Sequence, residues 1–410
     1  MMVGAGKAPI ELDGIVPFDG FDSVRHELQA RALVVESNGN RACILSLEMT
    51  SMSDMLLQRL AQVAETAASC RAPYLWIVPT HTFSAPHVRT PEHLVSDDER
   101  ARNARYLDAL LAAAQASIEK AASALASARV ELARGHCPVN VNRDVETPAG
   151  WWLGADSDGY SDKDMPVVRF VREDGSTAAV LATADVQSSV LDGSHDSEGA
   201  RVVSADLFGF AANKLEDDLD CVAMLLPGAA GDQAPRQKAV VATYDGSGVR
   251  TVVDAHEAAY GMLHEQGAAL AMALEDALLG ACELPGGDLE ARCVSVILPA
   301  QERADFHSLA PRRHYEFVAA GERSTDVHVL KLGGLSLVGV QPEVSSSFGT
   351  VVRNQNGNRT LLVTLVNGGA KYLPAPDAYE KITYEAMNSG FARGSYELLL
   401  NAILDALASA

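Results

Sequence analysis

The segment ARALVVESNGNRACILSLE, residues 30–48, decides the fold class of this chain. Two runs rich in β-branched and other apolar side chains flank Asn38-Gly39-Asn40. An Asn-Gly pair between two such runs is a strong signal for a tight turn, because both residues tolerate a positive φ angle. The segment is therefore predicted to form two strands joined by a hairpin turn.

The residues that follow the hairpin alternate between helix and strand patterns. Met52–Ala68 has apolar residues at helical spacing, and Tyr74–Val78, YLWIV, is predicted to be a short buried strand. From Asp98 to about Ser127, apolar residues recur at steps of three and four, which predicts a long helix with one apolar face. That face is expected to pack on a sheet.

Further elements are predicted along the remainder of the chain. The strands are Val167–Val171, Ala178–Ala184, Cys221–Leu226, Val294–Leu298, Leu335–Val340 and Thr360–Val366, and the helices are Phe208–Glu216, His256–Leu279 and Ser395–Ala408. This alternation predicts an α/β fold with a mixed β-sheet core covered by helices. No repeat and no long Pro/Gly/Ser linker divides the sequence, so residues 1–410 are expected to form a single domain.

The composition disfavours several classes of partner. The 33 basic and 54 acidic side chains give a net charge of −21, which repels nucleic-acid phosphates and anionic lipid surfaces. The opening MMVGAGKAPIELDG lacks a basic start followed by an apolar stretch, and no run of about 18 apolar residues occurs. We therefore expect a small-molecule ligand, no nucleic acid, no membrane anchor and a cytoplasmic location. The sequence carries no signal for an oligomeric state.

The six cysteines are far apart in the sequence and include no CxxC pair. The six are Cys43, Cys70, Cys137, Cys221, Cys282 and Cys293, and several of them lie in apolar runs. This spacing predicts buried free thiols, which is typical of a reducing compartment.

The sharpest local signal for chemistry is PTHTFSAPH, residues 79–87, directly after the predicted YLWIV strand. An imidazole at the end of a strand projects from a rigid edge, so His81 suits a metal ligand or a general base. His87 could join it. A hydrogen-bonded structural histidine is the alternative for either residue taken alone.

Four other segments offer polar groups or an adaptable backbone. LPGAAGDQAPR, residues 226–236, follows a predicted strand, and its glycines allow close approach to a ligand, although it lacks the GxxxxGK[ST] phosphate-loop pattern. Arg143 could bind a carboxylate or a developing oxyanion. Glu343 in GVQPE and Tyr372 in NGGAKYLP each follow a predicted strand closely. For each of these side chains, a solvated surface position is the alternative.

Taken in order, these segments resemble the neutral ceramidase family, including the shorter bacterial proteins that share its catalytic domain. The matching segments are VGAGKAPIEL, ARALVV, CILSLEM, PTHTFSAP against the family's THTHSGP, VNRD, VSADLFGF, LPGAAGDQAPR, VQPE, and NGGAKYLP followed by Tyr384-Glu385. The resemblance covers nearly the whole chain and leaves no room for the immunoglobulin-like domain of the secreted members.

The resemblance implies a zinc ion that activates water to attack an amide carbonyl. By position, His81, Glu343 and Tyr372 look like zinc ligands of the family. Arg143 and Tyr384 look like residues that surround the reacting group and are the expected catalytic residues. From the same matching segments, the residues expected to contact substrate are Phe83, His87, Gly231, Asp232 and Ala234.

This sequence also departs from the family pattern. Gln187 aligns with the second ligand histidine, and an amide oxygen is a poorer zinc donor than imidazole. Phe83 and Ala234 replace a histidine and a serine of the family, and Pro9 replaces an acidic residue after the opening strand. His195, in a nearby acidic loop, is one candidate for the missing imidazole. Ceramide is therefore not the expected substrate.

Three interpretations follow from these residues. The first is a metal-dependent hydrolase that acts on a linear amide other than ceramide. The second is a non-catalytic descendant that has lost zinc and binds a ligand or partner. The third is an enzyme of a different reaction type on the same scaffold, since a fold does not fix a chemistry.

Overall fold

Two β-sheets lie face to face between two layers of helices in the computed structural model, which describes residues 1–409. The chain contains twenty-two strands within these residues. The first eleven are β1 (Met2–Ile10), β2 (Ser23–Val24), β3 (Leu28–Ser37), β4 (Asn40–Leu47), β5 (Leu75–Pro79), β6 (Ala126–His136), β7 (Asn140–Thr147), β8 (Gly150–Asp156), β9 (Asp164–Arg172), β10 (Thr177–Ala184) and β11 (Val202–Val203). The others are β12 (Val222–Pro227), β13 (Gln233–Pro235), β14 (Val240–Tyr244), β15 (Arg250–Asp254), β16 (Cys282–Glu283), β17 (Leu289–Gln301), β18 (Ala319–Leu332), β19 (Leu335–Val340), β20 (Glu343–Val344), β21 (Thr360–Val363) and β22 (Tyr372–Leu373).

Eight α-helices connect or cover these strands within the described residues. They are α1 (Asp54–Ala68), α2 (Asp97–Ser123), α3 (Asp206–Leu219), α4 (Ala258–Leu278), α5 (Ser346–Arg353), α6 (Ala378–Lys381), α7 (Tyr384–Met387) and α8 (Ser395–Ala408). Short 3-10 turns lie at Pro91–His93 and Phe306–Ser308. The predicted helices are confirmed, with boundaries shifted by a few residues. The long helix ends at Ser123 rather than near Ser127, because Ala126 already belongs to β6.

The hairpin predicted from residues 30–48 lies inside the larger sheet, whose order is β12-β10-β9-β6-β1-β3-β4-β5 with β16 beside β6. The turn residues Asn38 and Gly39 have φ of 49° and 80°, as the Asn-Gly pair requires. The β4–β5 and β10–β12 pairs are parallel and the other pairs are antiparallel. The sheet is therefore mixed, and the predicted α/β fold class is confirmed.

The smaller sheet has the order β17-β18-β19-β21. Its long strand β18 was not predicted from the sequence, because its exposed N-terminal half, AAGERST, has none of the apolar alternation that marks a half-buried strand. Strands β6, β7 and β8 were also missed. Their mixed polar and apolar residues follow directly on the long helix, which hides the boundary.

Apolar cores lie between each pair of adjacent layers: between helices and the larger sheet, between the two sheets, and between the smaller sheet and its helices. Helices α1 and α2 cover one half of the larger sheet, and α3 and α4 cover the other half. The two sheets pack against each other through Trp76, Phe170 and leucines of β18 and β19. Helices α5 and α8 cover the outer face of the smaller sheet. Most strands of the two central layers are thus buried on one or both faces, which explains their long apolar runs. The short β16 and parts of β17 and β18 are exposed.

Two further findings concern the cysteines and the helices. All six cysteines are free thiols; Cys43, Cys70 and Cys137 are buried, but Cys282 and Cys293 are exposed, so the predicted burial was wrong for the last two. Among residues 1–409, no helix is long and apolar enough to cross a membrane.

Candidate functional site

His81 is held in one orientation by the backbone around it. The residue follows β5 directly and has a φ of 64°, a region that non-glycine residues enter rarely and often at functional sites. Its Nδ1 lies 2.6 Å from the carbonyl oxygen of Thr50. Because a carbonyl only accepts, Nδ1 carries a proton and Nε2 is the nitrogen presented to the site. The side chain is buried, with the residue 7% exposed.

Glu343 and Tyr372 are brought together by a two-residue parallel pairing of β20 with β22, in which they are register partners. Glu343 Oε2 lies 3.2 Å from His81 Nε2. Nε2 has no aligned hydrogen-bond partner in the described part of the chain, but the carboxylate is close enough to form an ion pair with it when the imidazole is protonated. The structure therefore brings the imidazole, the carboxylate and the phenol into one place, as predicted.

The charges of these groups influence each other strongly. Burial alone would lower the pKa of His81, but the Glu343 carboxylate outweighs it and raises that pKa. Burial would raise the pKa of Glu343, and the neighbouring His81 and Arg143 lower it instead. Burial and the Glu343 carboxylate raise the pKa of Tyr372. The carboxylate is the group in this centre that stays ionised.

Gln187 connects Glu343 to Arg143. Its Nε2 donates to Glu343 Oε2 at 2.7 Å, and its Oε1 accepts from Arg143 Nη1 at 2.7 Å. The amide orientation is fixed by chemistry, because a guanidinium only donates and a carboxylate only accepts. The amide oxygen is therefore already used and does not face His81 as a ligand would.

Arg143 is buried among aromatic rings and carboxylates. Its Nε donates to Glu385 Oε1 at 2.6 Å, and its Cζ lies 5.1 Å from the centre of the Tyr372 ring and 5.8 Å from that of Tyr384. Its Nη2 is buried, has no aligned hydrogen-bond acceptor among residues 1–409, and lies 2.6 Å from the same Glu385 oxygen in an ion pair. The carboxylate therefore neutralises the guanidinium, and a ligand oxygen would bind Nη2 beside Glu385.

A second pair of acidic groups adjoins Arg143. Glu385 is 2% exposed, and its Oε2, like Asp144 Oδ1, is buried without a donor in residues 1–409. Burial, with the Glu385 charge, raises the pKa of Asp144 well above its usual range. Two carboxyl groups in contact cannot both ionise readily, so they share a proton or require a cation between them.

Four of these residues, Asp144, Glu343, Tyr372 and Glu385, line a cavity of about 250 Å³, whereas His81, Gln187 and Arg143 are not among its lining residues. Within residues 1–409 its charged lining consists of six carboxylates and one lysine: Asp144, Asp156, Asp232, Glu343, Asp377, Glu385 and Lys381. Its aromatic lining consists of Trp151, Tyr160 and Tyr372. The Lys381 Nζ lies 2.8 Å from Asp377 Oδ2, which leaves the other carboxylates of the lining in excess.

The glycine-rich loop after β12 makes the close approach that its sequence predicts. A side chain at Gly231 would place its Cβ 2.8 Å from the carbonyl oxygens of Glu343 and Val344. The next residue, Asp232, accepts a hydrogen bond from the Ser346 amide and lines the cavity. Burial raises the pKa of Asp232 to about 7.

The other predicted site residues lie at varying positions. Phe83 packs edge-on against His81, with ring centres 4.7 Å apart, and Tyr384 packs against Tyr372 at 5.8 Å. His87 is held by Asp19 through Nδ1 at 2.9 Å and is not among the described residues that line the cavity. Ala234 is buried in β13 and does not line it either.

His195 does not supply the missing imidazole. It is exposed, and its loop is tied to a different part of the surface, where its amide donates to Asp254 and its carbonyl accepts from His256. This candidate is wrong, since the aligned position is filled by the Gln187 amide itself.

Some members of the site were not among the predicted functional residues. Asp144 and Glu385 each lie next to a predicted one, which was a signal that could have found them. The Thr50 carbonyl and Lys381 had no such signal, because a backbone oxygen has no residue type and a lysine is usually a surface residue.

The comparisons with known proteins bear on the fold. No protein-family model matches the sequence, and no curated protein matches it. The neutral ceramidase from Pseudomonas aeruginosa superposes on 98% of this chain and 73% of its own, with a TM-score of 0.74 and 15% identity. This chain has a ceramidase-like fold. A structure described as a ceramidase complexed with C2 has the same fold, with a TM-score of 0.75 and 15% identity. The match covers 100% of this chain and 75% of that one.

Three side chains of this ceramidase-like fold suit the zinc ion that the sequence resemblance implies. His81 presents a buried, unpartnered nitrogen 3.2 Å from a Glu343 oxygen, and its other nitrogen is held by a carbonyl, as in many metal-binding histidines. Tyr372 is the register partner of Glu343. Three protein ligands with an open position are the usual catalytic arrangement. Gln187 does not fit a fourth ligand, since its oxygen is bound by Arg143.

Proposed function

We propose that this chain is a metal-dependent hydrolase of a small linear amide other than ceramide. The observation that carries the proposal is the buried Nε2 of His81, which has no aligned hydrogen-bond partner and lies 3.2 Å from Glu343 Oε2. Glu343 and Tyr372, but not His81, line the adjacent cavity. A buried polar atom without a partner costs about 1–3 kcal/mol, which a structural histidine would avoid. A ligand that satisfies this nitrogen explains why it is kept.

Each residue has a role that follows from its contacts. His81, Glu343 and Tyr372 would hold the zinc ion, which would polarise an amide carbonyl and lower the pKa of a water molecule. Arg143 Nη2, which is ion-paired with Glu385 at 2.6 Å, would use its remaining hydrogen to bind the carbonyl oxygen as negative charge develops on it. Gln187 and Glu385 orient Arg143, and Tyr384 packs against Tyr372 and closes that side.

The lining of the cavity favours a cationic substrate. Long hydrocarbon chains gain nothing from a surface with six acidic side chains. The raised pKa of Asp144 favours its neutral form and Asp377 is paired with Lys381, but the remaining acidic groups would still attract an ammonium group. The aromatic faces of Trp151 and Tyr160 add a further attraction for a cation. A cavity of about 250 Å³ also suits a small molecule. The substrate class we propose is therefore a short N-acyl amine that carries a second, basic amine.

Three isosteric amides test this function and its substrate class together. N-acetylputrescine is cationic, N-pentylacetamide is neutral, and N-acetyl-5-aminovalerate is anionic. The zinc-loaded protein is expected to release acetate from the first at least about tenfold faster than from the other two, which corresponds to about 1.4 kcal/mol of discrimination. Protein treated with a chelator and the His81→Ala variant are the controls, and both are expected to be inactive.

The outcomes separate the two parts of the proposal. If the neutral amide is hydrolysed as fast as the cationic one, the proposed preference for a cationic substrate is wrong, but the proposed hydrolase activity stands. If the protein binds no zinc and hydrolyses none of the three amides, the proposed hydrolase activity is wrong.

A second candidate function is a non-catalytic binding protein, which one observation favours. The Gln187 amide satisfies both Glu343 and Arg143, so those two groups are stable without an ion. In this case N-acetylputrescine would bind in calorimetry with no zinc present and would be recovered intact.

We also propose that the protein acts in the cytoplasm on a soluble substrate. All six cysteines lie within the described residues and are free thiols, and the exposed Cys282 and Cys293 would be oxidised in an oxidising compartment. Localisation of a tagged chain by cell fractionation tests this.

A further inference from the structure

A cluster of three metal-ligating side chains lies on the smaller sheet, outside the cavity. Cys293 of the edge strand β17 is the register partner of His328 on β18, and Asp326 lies two residues before His328 on the same face. One ligand atom of each lies within 4.8 Å of the others. Since zinc bonds of about 2.0–2.3 Å allow donors up to about 4.6 Å apart, small side-chain rotations bring these atoms to binding distance.

His328 is the unusual member of this cluster. It is 3% exposed, and neither ring nitrogen has a hydrogen-bond partner among residues 1–409. Trp76 packs edge-on against the ring at 6.2 Å, and the register partner on β19 is Gly339, which offers no side chain to it. A buried imidazole with two unused nitrogens loses its water without compensation, so something other than the chain is needed to bind it.

We infer that Cys293, Asp326 and His328 form a second metal site, for a divalent ion of the zinc class. A thiolate, an imidazole and a carboxylate together select borderline ions such as zinc and cobalt(II) over calcium and magnesium, which prefer oxygen ligands. Cys293 is exposed, so a water molecule can complete a four-coordinate shell from the solvent side.

The surroundings of the cluster support ligand binding. The Ser295 hydroxyl donates to Asp326 Oδ1 at 2.5 Å, which fixes the carboxylate and leaves Oδ2 for an ion. The ion would connect the edge strand β17 to β18 at a point where β17 has no other strand outside it.

Cobalt(II) chloride, added to the reduced full-length protein, tests this site alone. Cobalt bound by a thiolate gives an intense near-ultraviolet charge-transfer band, and the cavity site contains no cysteine among its ligands. The wild-type protein is expected to develop this band and to saturate it at one equivalent per chain. The His81→Ala variant is expected to develop the same band, so this result does not depend on the proposed function.

Matched variants complete the test. Cys293→Ser is expected to abolish the band, and His328→Phe, which keeps a ring against Trp76, is expected to weaken cobalt binding at least tenfold. Cys282→Ser, which removes another exposed thiol, is expected to leave the band unchanged. A wild-type protein without the band, or a band that survives Cys293→Ser, would overturn the inference. Circular dichroism of Cys293→Ser confirms that its fold is intact.

Discussion

Two buried arginines of this protein, Arg31 and Arg143, each lie among carboxylates and an amide. The two clusters differ in whether every buried polar atom has an aligned hydrogen bond. Arg31 donates through Nε to Glu216, through Nη1 to Glu48 and through Nη2 to Asn213. No side-chain nitrogen or oxygen of this Arg31 cluster is among the buried unpartnered atoms of residues 1–409. Arg143 also binds a carboxylate and an amide, and its Nη2 lies 2.6 Å from Glu385 Oε1 in an ion pair without an aligned hydrogen bond.

The neighbours of Arg143 share this incompleteness. His81 Nε2, Glu385 Oε2 and Asp144 Oδ1 are likewise buried without hydrogen-bond partners in the described chain. A buried charge cluster in which every group is satisfied stabilises or specifies the fold, whereas unsatisfied groups beside a cavity lower stability and are retained where a ligand uses them. The difference favours a structural role for the Arg31 cluster and supports the ligand-binding role that we propose for the Arg143 cluster.

The largest expected effect is on the Arg31 cluster. Arg31→Ala leaves the buried Glu48 carboxylate without its cation and Glu216 with Lys7 alone. It is expected to lower the free energy of unfolding by about 3–5 kcal/mol in a denaturant titration. Lys214→Ala, which breaks an exposed pair with Asp218, is the control and is expected to cost less than about 1 kcal/mol. Equal losses for the two variants would show that the Arg31 cluster does not support the fold.

The Arg143 cluster is expected to respond in activity instead. His81→Ala removes the unpartnered nitrogen and is expected to reduce amide hydrolysis at least about a hundredfold, with an unfolding free energy lowered by only about 1–2 kcal/mol. His195→Ala, at an exposed position away from the cavity, is the matched control and is expected to retain full activity. A His81→Ala protein that unfolds as readily as Arg31→Ala would remove the distinction between the clusters.

Gln187→His sharpens the comparison by restoring the residue type of the family pattern. An imidazole in place of the amide is expected to raise zinc affinity at least about tenfold, measured by competition with a chromophoric chelator. Gln355→His adds an imidazole beyond α5 and is expected to leave the affinity unchanged. Unchanged affinity in Gln187→His would mean that this position does not face the ion.

The smallest expected effect is a pH dependence of the Arg31 cluster. Burial alone would raise the pKa of Glu216, but the charge and hydrogen bonds of Arg31 and Lys7 lower it instead. The stabilisation by ionised Glu216 is therefore fully present above the unfolded pKa of about 4.3 and is lost as the pH falls through the lower folded pKa. In Glu216→Gln, the free energy of unfolding is expected to fall less steeply with decreasing pH below about pH 4.3. The slope is expected to decrease by at most about 1.4 kcal/mol per pH unit. A slope equal to that of the wild type would contradict this.

Much of the fold could be predicted because its signals are local. The Asn38-Gly39 turn, the apolar face of the long helix and the C-terminal helix Ser395–Ala408 each depend on residues within a few positions of one another. Strand β18 could not be found in this way. Its exposed half is stabilised by long pairing with β17 across some thirty residues of chain, which no local pattern records.

The residues of the candidate site also differ in how far local sequence signals could predict them. His81, Glu343 and Tyr372 could be singled out because each follows or adjoins a strand and matches a family motif. The Gln187 amide was expected to be a weak ligand, and its contacts with Glu343 and Arg143 became visible only when segments 156 and 44 residues away were placed beside it. Glu385 and Asp144 acquire their importance from contact across the chain in the same way.

The sequence by itself determined the main helices, many of the strands and the residue types available for chemistry, because hydrophobic periodicity and turn preferences act over a few residues. Only the tertiary structure decided which polar groups meet, which are satisfied and which remain without partners. The physical reason is that a buried hydrogen bond depends on distances and angles between side chains that are far apart in the chain, and these are fixed only when the layers pack.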